Sequence, residues 1–460
     1  MNTPDYDVLI VGAGPAGIFA ALELTAQPGL RVALLDRGLD LPERVAAREG
    51  GWPAPSGREA MLEGFGGAGA FCDGKLTLSP EVGGQLPDLV GQAAAEALLA
   101  EADRLWLQFG APLEIFGSDE AAVAEYGRRA TLAGMRLVPA PLRHIGSDRT
   151  PLVLGAMREY LTPRLDLLTG TAVEEIEVSG GQVTGVVTAQ GRRGARAVIL
   201  APGRSGAQWL REEAQRLGLE TDPGPVDLGV RAEIPAALTA EITDRLFEFK
   251  LLYWSRQFDN LVRTFCMCPY GEVITVPQGD AVTVNGHSTS ARLSDNTNFA
   301  VLVTSRFTEP FDDPIGYGMY IARLANLLGR GVLVQRLGDL RAGHRSKPSS
   351  LARTTVRPTL REATPGDLSY VLPYRHLGAI LEMMTALDRF VPGIGDAHTL
   401  LYGVEVKLYS SRLRVDERFE TAVRGLYACG DGAGLTRGLM QASATGLATA
   451  RALREKGNRQ

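Results

Sequence analysis

The chain contains 460 residues, of which 45% are hydrophobic and 22% are charged, and its net charge is −5. This length predicts two domains or one large interrupted domain, and the acidic balance argues against a general nucleic-acid binder. The opening MNTPDYD lacks the basic and apolar regions of a signal peptide, and no apolar run reaches the roughly 18–20 residues that span a membrane. Four cysteines give no disulfide framework. We therefore expect a cytoplasmic protein without membrane partners.

The first predicted elements are a strand, a glycine turn and a helix. An apolar run at residues 8–11 precedes the helix-like stretch PAGIFAALEL, in which apolar residues recur at helical spacing. The glycines between them follow the order Gly-x-Gly-x-x-Gly, which permits a tight turn and lets a pyrophosphate touch the main chain. The residues predicted to bind a dinucleotide here are Gly12, Gly14, Pro15, Ala16 and Gly17.

A second predicted strand at residues 32–35 ends in Asp36, followed by Arg37. An acidic side chain at this strand tip is placed to accept hydrogen bonds from a ribose diol. The alternative is that Asp36 only caps a turn before Arg37 and Gly38. The register of strand, turn, helix, strand and acid favours dinucleotide binding.

The next glycine cluster lies in EGFGGAGAFCDGKLTLSP, residues 63–80. A flexible surface loop is one interpretation, because glycine costs order. However, two phenylalanines flank the cluster, which suggests a backbone pressed against a flat ligand. The candidate ligand contacts are Gly66, Gly67, Ala68 and Gly69. Lys75 is either a cation near the ligand, and a weak catalytic candidate, or a solvated lysine.

Residues 165–191 alternate apolar and polar residues around turn signals and predict a small antiparallel meander. Residues 195–210 then predict a buried strand, a glycine turn containing Ala201 and Gly203, and a helix. From about residue 222 to 375 the pattern becomes turn-rich and strand-like. We interpret this change as a β-rich substrate domain inserted into the nucleotide domain.

Two features of the inserted region are candidates for chemistry. Cys266 and Cys268 would face the same side of a strand, but a disulfide across one residue is strained, so we interpret them as packed thiols rather than a redox pair. Residues 340–361 carry six cations and no acid. They form either a solvated loop or a clamp for an anionic substrate, with Arg345 and Lys347 as candidate contacts. His287 and His344 are more typical of structural histidines, and no metal-spaced cluster stands out.

The C-terminal stretch RGLYACGDGAGLTRGLMQASATG, residues 424–446, predicts a short strand, a turn at Gly430–Asp431 and a helix from about Leu439. This arrangement resembles the second FAD fingerprint of glutathione-reductase-type flavoproteins. The resemblance implies that Asp431 binds the ribityl or phosphate part and that the helix, with Leu439 and Met440, points its N-terminus at the flavin. In the same flavoproteins the position matching Val173 lies by the adenine.

The glycine loop and the following DGKL closely resemble a family of uncharacterised bacterial FAD-dependent dehydrogenases. The likeness continues through TFCMCPYGEVI (264–274), VNGHSTSAR (284–292) and the C-terminal fingerprint. It implies an α/β fold: a Rossmann-type FAD-binding domain, residues 1–221 and 376–460, interrupted by a smaller β-rich α+β substrate domain, residues 222–375.

The expected function is an FAD-dependent oxidoreductase that passes a hydride between a small organic substrate, anionic if the clamp is real, and the flavin N5. A second glycine fingerprint for stably bound NAD(P)H is absent, so a transient NAD(P)H or another electron carrier is the expected partner. A flavin monooxygenase and a C=C reductase of the geranylgeranyl-reductase type stay open as alternatives. An FAD-binding protein that contacts RNA through residues 340–361 is a further hypothesis, which the acidic charge disfavours.

Overall fold

The computed structural model describes residues 4–50, 61–307, 310 and 313–457. Its strands are β1 Tyr6–Val11, β2 Val32–Leu35, β3 Lys75–Thr77, β4 Arg136–Val138, β5 Leu142–His144, β6 Asp166–Leu168, β7 Val173–Ser179, β8 Gln182–Thr188, β9 Gly191–Leu200, β10 Thr221–Asp222, β11 Val226–Pro235, β12 Lys250–Trp254, β13 Leu261–Cys268, β14 Glu272–Gln278, β15 Ala281–His287, β16 Asn296–Ser305, β17 Leu333–Arg336, β18 Thr364–Pro365, β19 Leu400–Leu408, β20 Arg412–Leu413 and β21 Leu426–Ala428.

The α-helices are α1 Pro15–Thr25, α2 Leu41–Glu49, α3 Leu86–Val90, α4 Gln92–Gln108, α5 Glu120–Leu132, α6 Thr150–Leu161, α7 Ala207–Arg216, α8 Ala240–Leu246, α9 Pro314–Gly329, α10 Leu337–Arg341, α11 Pro348–Leu351, α12 Tyr374–Phe390 and α13 Leu439–Gly457. Single tighter turns of helix lie at Gly67–Gly69, Ala236–Leu238, Leu368–Tyr370 and Asp431–Ala433. Among the described residues, no helix has both the length and the apolar character needed to cross a membrane.

The first compact unit comprises Met1–Glu114, Arg143–Pro223 and Ser410–Gln460. Its main sheet has the strand order β6-β2-β1-β9-β8-β7, and β21 also pairs with β9. Strands β1, β2, β6, β9 and β21 pair in parallel, whereas β7, β8 and β9 form an antiparallel meander. The strands predicted at residues 8–11 and 32–35 are confirmed, and the predicted antiparallel meander is found at β7, β8 and β9, whereas residues 166–168 pair in parallel with β2.

Helix α1 lies in the core of this unit because nearly all of its side chains are apolar and buried. It packs against β1, β2 and α13. The backbones of α1 and α13 are in direct contact at Gly446. A Cβ added there would lie 2.1 Å from the carbonyl oxygen of Ala16, so no side chain fits between the helices at this point. A buried aromatic pair, Phe19 and Trp106 at 5.4 Å, fills the neighbouring space.

The second compact unit comprises Ile115–Leu142 and Gly224–Tyr409. Its sheet of eight strands has the order β18-β17-β19-β11-β16-β13-β12-β4 and is antiparallel except between β17 and β18. Alternate residues of β11, namely Val226, Leu228 and Val230, join a core with residues of α5, α9 and α12.

The unit boundaries differ from the predicted domains 1–221, 222–375 and 376–460. Residues 376–409 lie in the second unit because β19 pairs with β11 and β17 inside its sheet, while α12 packs on the apolar face. Residues 115–142 also belong there, since β4 pairs with β12 at the sheet edge. These pairings join segments distant in sequence, so local pattern gave no sign of them.

The regular strand alternation expected at Cys266 and Cys268 is interrupted. Between Phe265 and Cys268, β13 carries one extra residue relative to β16, and Cys266 has a φ of +46°. A β-bulge of this kind changes the direction in which the side chains point. Strand alternation therefore does not place the two thiols, yet the structure brings the Sγ atoms of Cys266 and Cys268 within 4.8 Å of each other.

Replacing Gly446 with alanine should lower the free energy of unfolding by about 1–3 kcal/mol, because the new methyl group overpacks the contact between α1 and α13. The matched control Gly155→Ala lies in α6 of the same unit, where a Cβ would meet only Leu41, at 3.9 Å. The control should be neutral or stabilise by up to about 1 kcal/mol through helix propensity. Denaturant unfolding measures both, and equal stabilities would contradict the backbone contact.

Candidate functional site

The turn between β1 and α1 places its three glycines under different constraints. Gly12 has a φ of +107°, and a Cβ there would lie 2.1 Å from the carbonyl oxygen of Ala201. A Cβ at Gly17 would lie 1.9 Å from the carbonyl oxygen of Gly12. By contrast, a Cβ at Gly14 would meet only the Cα of Gly67, at 3.9 Å. Packing within the protein therefore requires glycine at positions 12 and 17. Position 14 instead borders space that a ligand can fill.

The start of α1 suits a phosphate. Gly14 occupies the N-cap without a side-chain cap, Pro15 follows it, and the first turn contains no acidic residue. The first N–H groups of a helix have no partner within the helix, and the helix dipole is positive at this end. An anion beside Gly14 would accept hydrogen bonds from these N–H groups and would be attracted by the positive end of the helix dipole.

Asp36 connects three segments around this turn. One carboxylate oxygen accepts from the N–H of Ala13 at 2.8 Å, and the other accepts from the N–H groups of Gly38 and Gly64 at 2.9 and 2.7 Å. A carboxylate offers about four acceptor sites, so one stays open for a ribose hydroxyl. The side chain of Arg37 is exposed, pairs with Glu63 and is less directly suited to ligand contact.

The glycine loop lies against the first residues of both α1 and α13. The N–H of Gly66 donates to the carbonyl of Ala13 at 2.8 Å. A Cβ added at Gly69 would lie 3.2 Å from Pro15 and 2.9 Å from Leu439. The loop is therefore an ordered part of the site, and its predicted contacts with a ligand, including Ala68, stay a prediction.

Sequence reasoning missed Arg44, which holds this loop. Its side chain is fully buried in α2 and donates to the carbonyl oxygens of Phe65, Gly67 and Met61, at 2.5, 3.0 and 3.1 Å. Burial lowers the pKa of Arg44 to about 10, while two nearby carboxylates oppose that shift. In sequence, Arg44 resembles any cation of an amphipathic helix, so no local signal marks it.

Asp431 organises the segment that leads into α13. Its carboxylate accepts from the hydroxyl of Thr436 at 2.6 Å and from the N–H of Gly438 at 3.3 Å. The guanidinium of Arg204 lies 3.9 Å from the second carboxylate oxygen. Asp431 therefore holds the segment before α13 in place. Its predicted contact with the cofactor would be a second role of the same side chain.

The first turn of α13 carries no acidic residue, which keeps its positive dipole end available for negative charge. Leu439 is half-buried and Met440 is buried. Gln441, which the sequence did not single out, accepts from the N–H of Leu86 at 3.2 Å and donates to the carbonyl of Pro80 at 2.9 Å. These bonds hold the beginning of the helix in place.

The remaining predicted nucleotide contacts border the same turns. Val173 is half-buried at the start of β7, and nearby Thr171 donates its N–H to the carbonyl of Asp36 at 2.8 Å. Ala201 is buried against the first glycine turn. Gly203 has open space where a Cβ would lie. This arrangement brings the separate glycine clusters of the first unit together.

Lys75 forms an ion pair with Asp73, at 3.6 Å between Nζ and Oδ2, and both side chains are about nine-tenths buried. A catalytic role for Lys75 stays a prediction. In the second unit, Arg345 and Lys347 are exposed. Between them, buried Ser346 donates to Asp339 at 2.7 Å, so the backbone is fixed while the two cations face solvent.

Two protein families match successive parts of the chain. Residues 7–234 match the family described as FAD dependent oxidoreductase, and residues 244–408 match the family described as FAD-dependent protein, C-terminal domain-like. An uncharacterized protein of Clostridium beijerinckii is 29% identical over 481 residues, covering 97% of this chain and 80% of its own length.

Similar solved structures include glycine oxidase from Geobacillus kaustophilus, with 15% identity, a TM-score of 0.42, and 98% and 95% of the two chains covered. L-proline dehydrogenase from P. horikoshii has 11% identity and a TM-score of 0.43, covering 99% of this chain and 95% of its own. Formate oxidase of Aspergillus oryzae RIB40 has 12% identity and a TM-score of 0.47 over the whole of both chains.

Replacing Gly14 with valine should abolish FAD binding, because the side chain would fill the space beside the helix N-terminus. The FAD-free protein should lose only about 1 kcal/mol, since no protein atom crowds this position. The matched variant Gly12→Val should instead destabilise the FAD-free protein as well. Visible absorbance after gel filtration and thermal unfolding of the FAD-free forms measure the two effects. Full FAD occupancy in Gly14→Val would contradict the proposed cradle.

Proposed function

Since the chain belongs to the FAD-dependent oxidoreductase family, we propose that it transfers a hydride between a small anionic organic substrate and the flavin N5. The observation that carries the proposal is the unfilled space at Gly14, beside a helix N-terminus that protein packing leaves accessible. When bound, FAD supplies the hydride chemistry. The chain supplies binding, orientation and electrostatics.

Each binding role follows from a group in the first unit. The N–H groups at the start of α1 would bind the pyrophosphate, and the open acceptor site of Asp36 would take a ribose hydroxyl. The positive end of α13 would stabilise negative charge that develops on the flavin. Asp431 would contact the ribityl or phosphate part while keeping that helix end in position.

The partner and the place of action belong to the same proposal. We expect the second electron partner to be NAD(P)H that binds transiently or another electron carrier, and we expect the reaction in the cytoplasm. Arg345 and Lys347 would attract an anionic substrate. Because both side chains are exposed, their effect would come mainly through long-range steering, which salt screens.

An anaerobic screen of small carboxylates, other metabolites and nicotinamides should identify a compound that bleaches the visible absorbance of the bound flavin. Bleaching by an organic anion supports a dehydrogenase. Bleaching by NAD(P)H alone, followed by reoxidation with an unsaturated compound or with oxygen and a substrate, supports the reductase or the monooxygenase instead. Protein that lacks FAD and takes up none would contradict the proposed function.

The double variant Arg345→Ala/Lys347→Ala should keep its FAD and raise KM for that substrate roughly 2- to 30-fold, because exposed ion contacts contribute about 0.2–1 kcal/mol each. The increase should shrink at high salt. Flavin bleaching against substrate concentration measures KM, with Arg323→Gln as an exposed-cation control from the same unit. Identical curves for the double variant and wild type would remove these residues from substrate binding.

A further inference from the structure

The two cysteines of β13 are held close together by an irregular backbone. The Sγ atoms of Cys266 and Cys268 lie within 4.8 Å of each other. The interpretation of these residues as packed thiols assumed a regular strand, but β13 carries an extra residue at this point. Cys266 has a φ of +46°, in the left-handed region that non-glycine residues rarely adopt. Such a conformation persists only where the surrounding structure holds it.

The carbonyl group of Cys266 shows what holds the bulge. It accepts from Nη1 of Arg231 at 3.1 Å and from the thiol of Cys268 at 3.6 Å. Arg231 is fully buried, and its Nη1 also donates to Oδ1 of Asn298 at 2.7 Å. The second sulfur is therefore tied to the backbone of the residue that carries the first.

A cation of the second unit adjoins these thiols. A Cβ added at Gly286 would lie 2.3 Å from Nη1 of Arg231 and 2.8 Å from Sγ of Cys268, so the guanidinium and the thiol are neighbours. Burial alone would lower the pKa of Arg231, but Glu405 and the two cysteines raise it above its ordinary value. The attraction is mutual, because a nearby cation stabilises a thiolate, which is the nucleophilic form of cysteine.

The two sulfurs differ in their access to solvent. Cys266 is half-buried, whereas Cys268 is fully buried. A small oxidant therefore reaches Cys266 first, and Cys268 is placed to react with the oxidised sulfur. Cys429 provides a contrast, since burial raises the pKa of its thiol to about 12 and keeps it protonated.

We propose that Cys266 and Cys268 form a peroxide-sensitive dithiol that converts reversibly to an intramolecular disulfide. The Cys266 thiolate attacks one oxygen of hydrogen peroxide. The O–O bond breaks, the sulfur becomes a sulfenic acid, and the hydroxide that leaves takes up the thiol proton to form water.

The second step closes the disulfide. The sulfur of Cys268 attacks the sulfur of Cys266, the S–O bond breaks, and the departing hydroxide combines with the proton of the Cys268 thiol to form a second water. Two thiols are thereby oxidised to one disulfide while one peroxide is reduced to two waters.

The disulfide should be easy to reduce. A bond closed across one residue is strained, and strained disulfides are the labile ones. An added dithiol such as dithiothreitol should therefore restore both thiols. The inference goes beyond the proposed function and does not depend on flavin chemistry, since every residue of the dithiol site lies in the second unit.

Met267 separates the two cysteines and allows a test on the unaltered chain. Cyanogen bromide cleaves after methionine, giving fragments 158–267 and 268–319, each with one of the two cysteines. Met267 is buried and therefore shielded from peroxide. FAD-bound protein is treated with hydrogen peroxide, denatured, alkylated and cleaved. Its two fragments should stay joined until a reductant is added, whereas untreated protein should give them separately.

Single variants separate the two steps. Cys268→Ser should stop at the sulfenic acid, which dimedone traps on fragment 158–267. Cys266→Ser should react with peroxide roughly tenfold or more slowly at position 268, because that thiol is buried. Cys72→Ser removes a half-buried thiol of the first unit and should leave disulfide formation unchanged. If these variants do not fold, the fragment measurement on wild type still decides the inference.

The inference is overturned if the two fragments separate without a reductant after peroxide treatment. It is also overturned if either cysteine pairs with Cys72, Cys429 or another chain, which fragment masses and non-reducing electrophoresis detect. Direct conversion of Cys266 to sulfinic acid, or a disulfide that dithiothreitol does not reduce, would contradict it as well.

Discussion

Contact between backbones without intervening side chains is the constraint on which the first unit depends. A Cβ at Gly12, Gly17 or Gly446 would lie about 2 Å from a carbonyl oxygen of a neighbouring element. These contacts bring β1, β9, α1 and α13 closer than ordinary side chains permit. The approach places two helix N-termini, neither with an acidic first turn, in the unit to which the proposed function assigns cofactor binding.

The parts of this site that sequence predicted are those specified by short segments. The turn at Gly12, the strand tip at Asp36 and the helix that begins at Leu439 each follow from local pattern, and the structure confirms their elements. Arg44 was missed because its structural role depends on three carbonyl oxygens that a loop distant in sequence contributes. Local propensity contains no information about such partners.

The same distinction explains the unit boundaries. The change to a turn-rich, strand-like pattern near residue 222 lies close to Gly224, where the long segment of the second unit begins. The predicted nucleotide-binding domain resumed at residue 376, yet the apolar side of α12 packs on the second sheet. Which sheet a helix covers is decided by long-range burial, and an amphipathic pattern fits either one.

Burial also changes how the two groups of cations are interpreted. Residues 340–361 stand out in sequence because their charges are close together, but Arg345 and Lys347 are exposed, where water weakens each interaction. The cations Arg231, Lys250, Arg263 and Lys407 of the second sheet are dispersed over β11, β12, β13 and β19 and look ordinary in sequence. Pairing of those strands places Lys250, Arg263 and Lys407 around the ring of Phe265 and Arg231 beside Glu405. Burying a cation is costly unless partner carboxylates compensate its charge, whereas water solvates the exposed cluster.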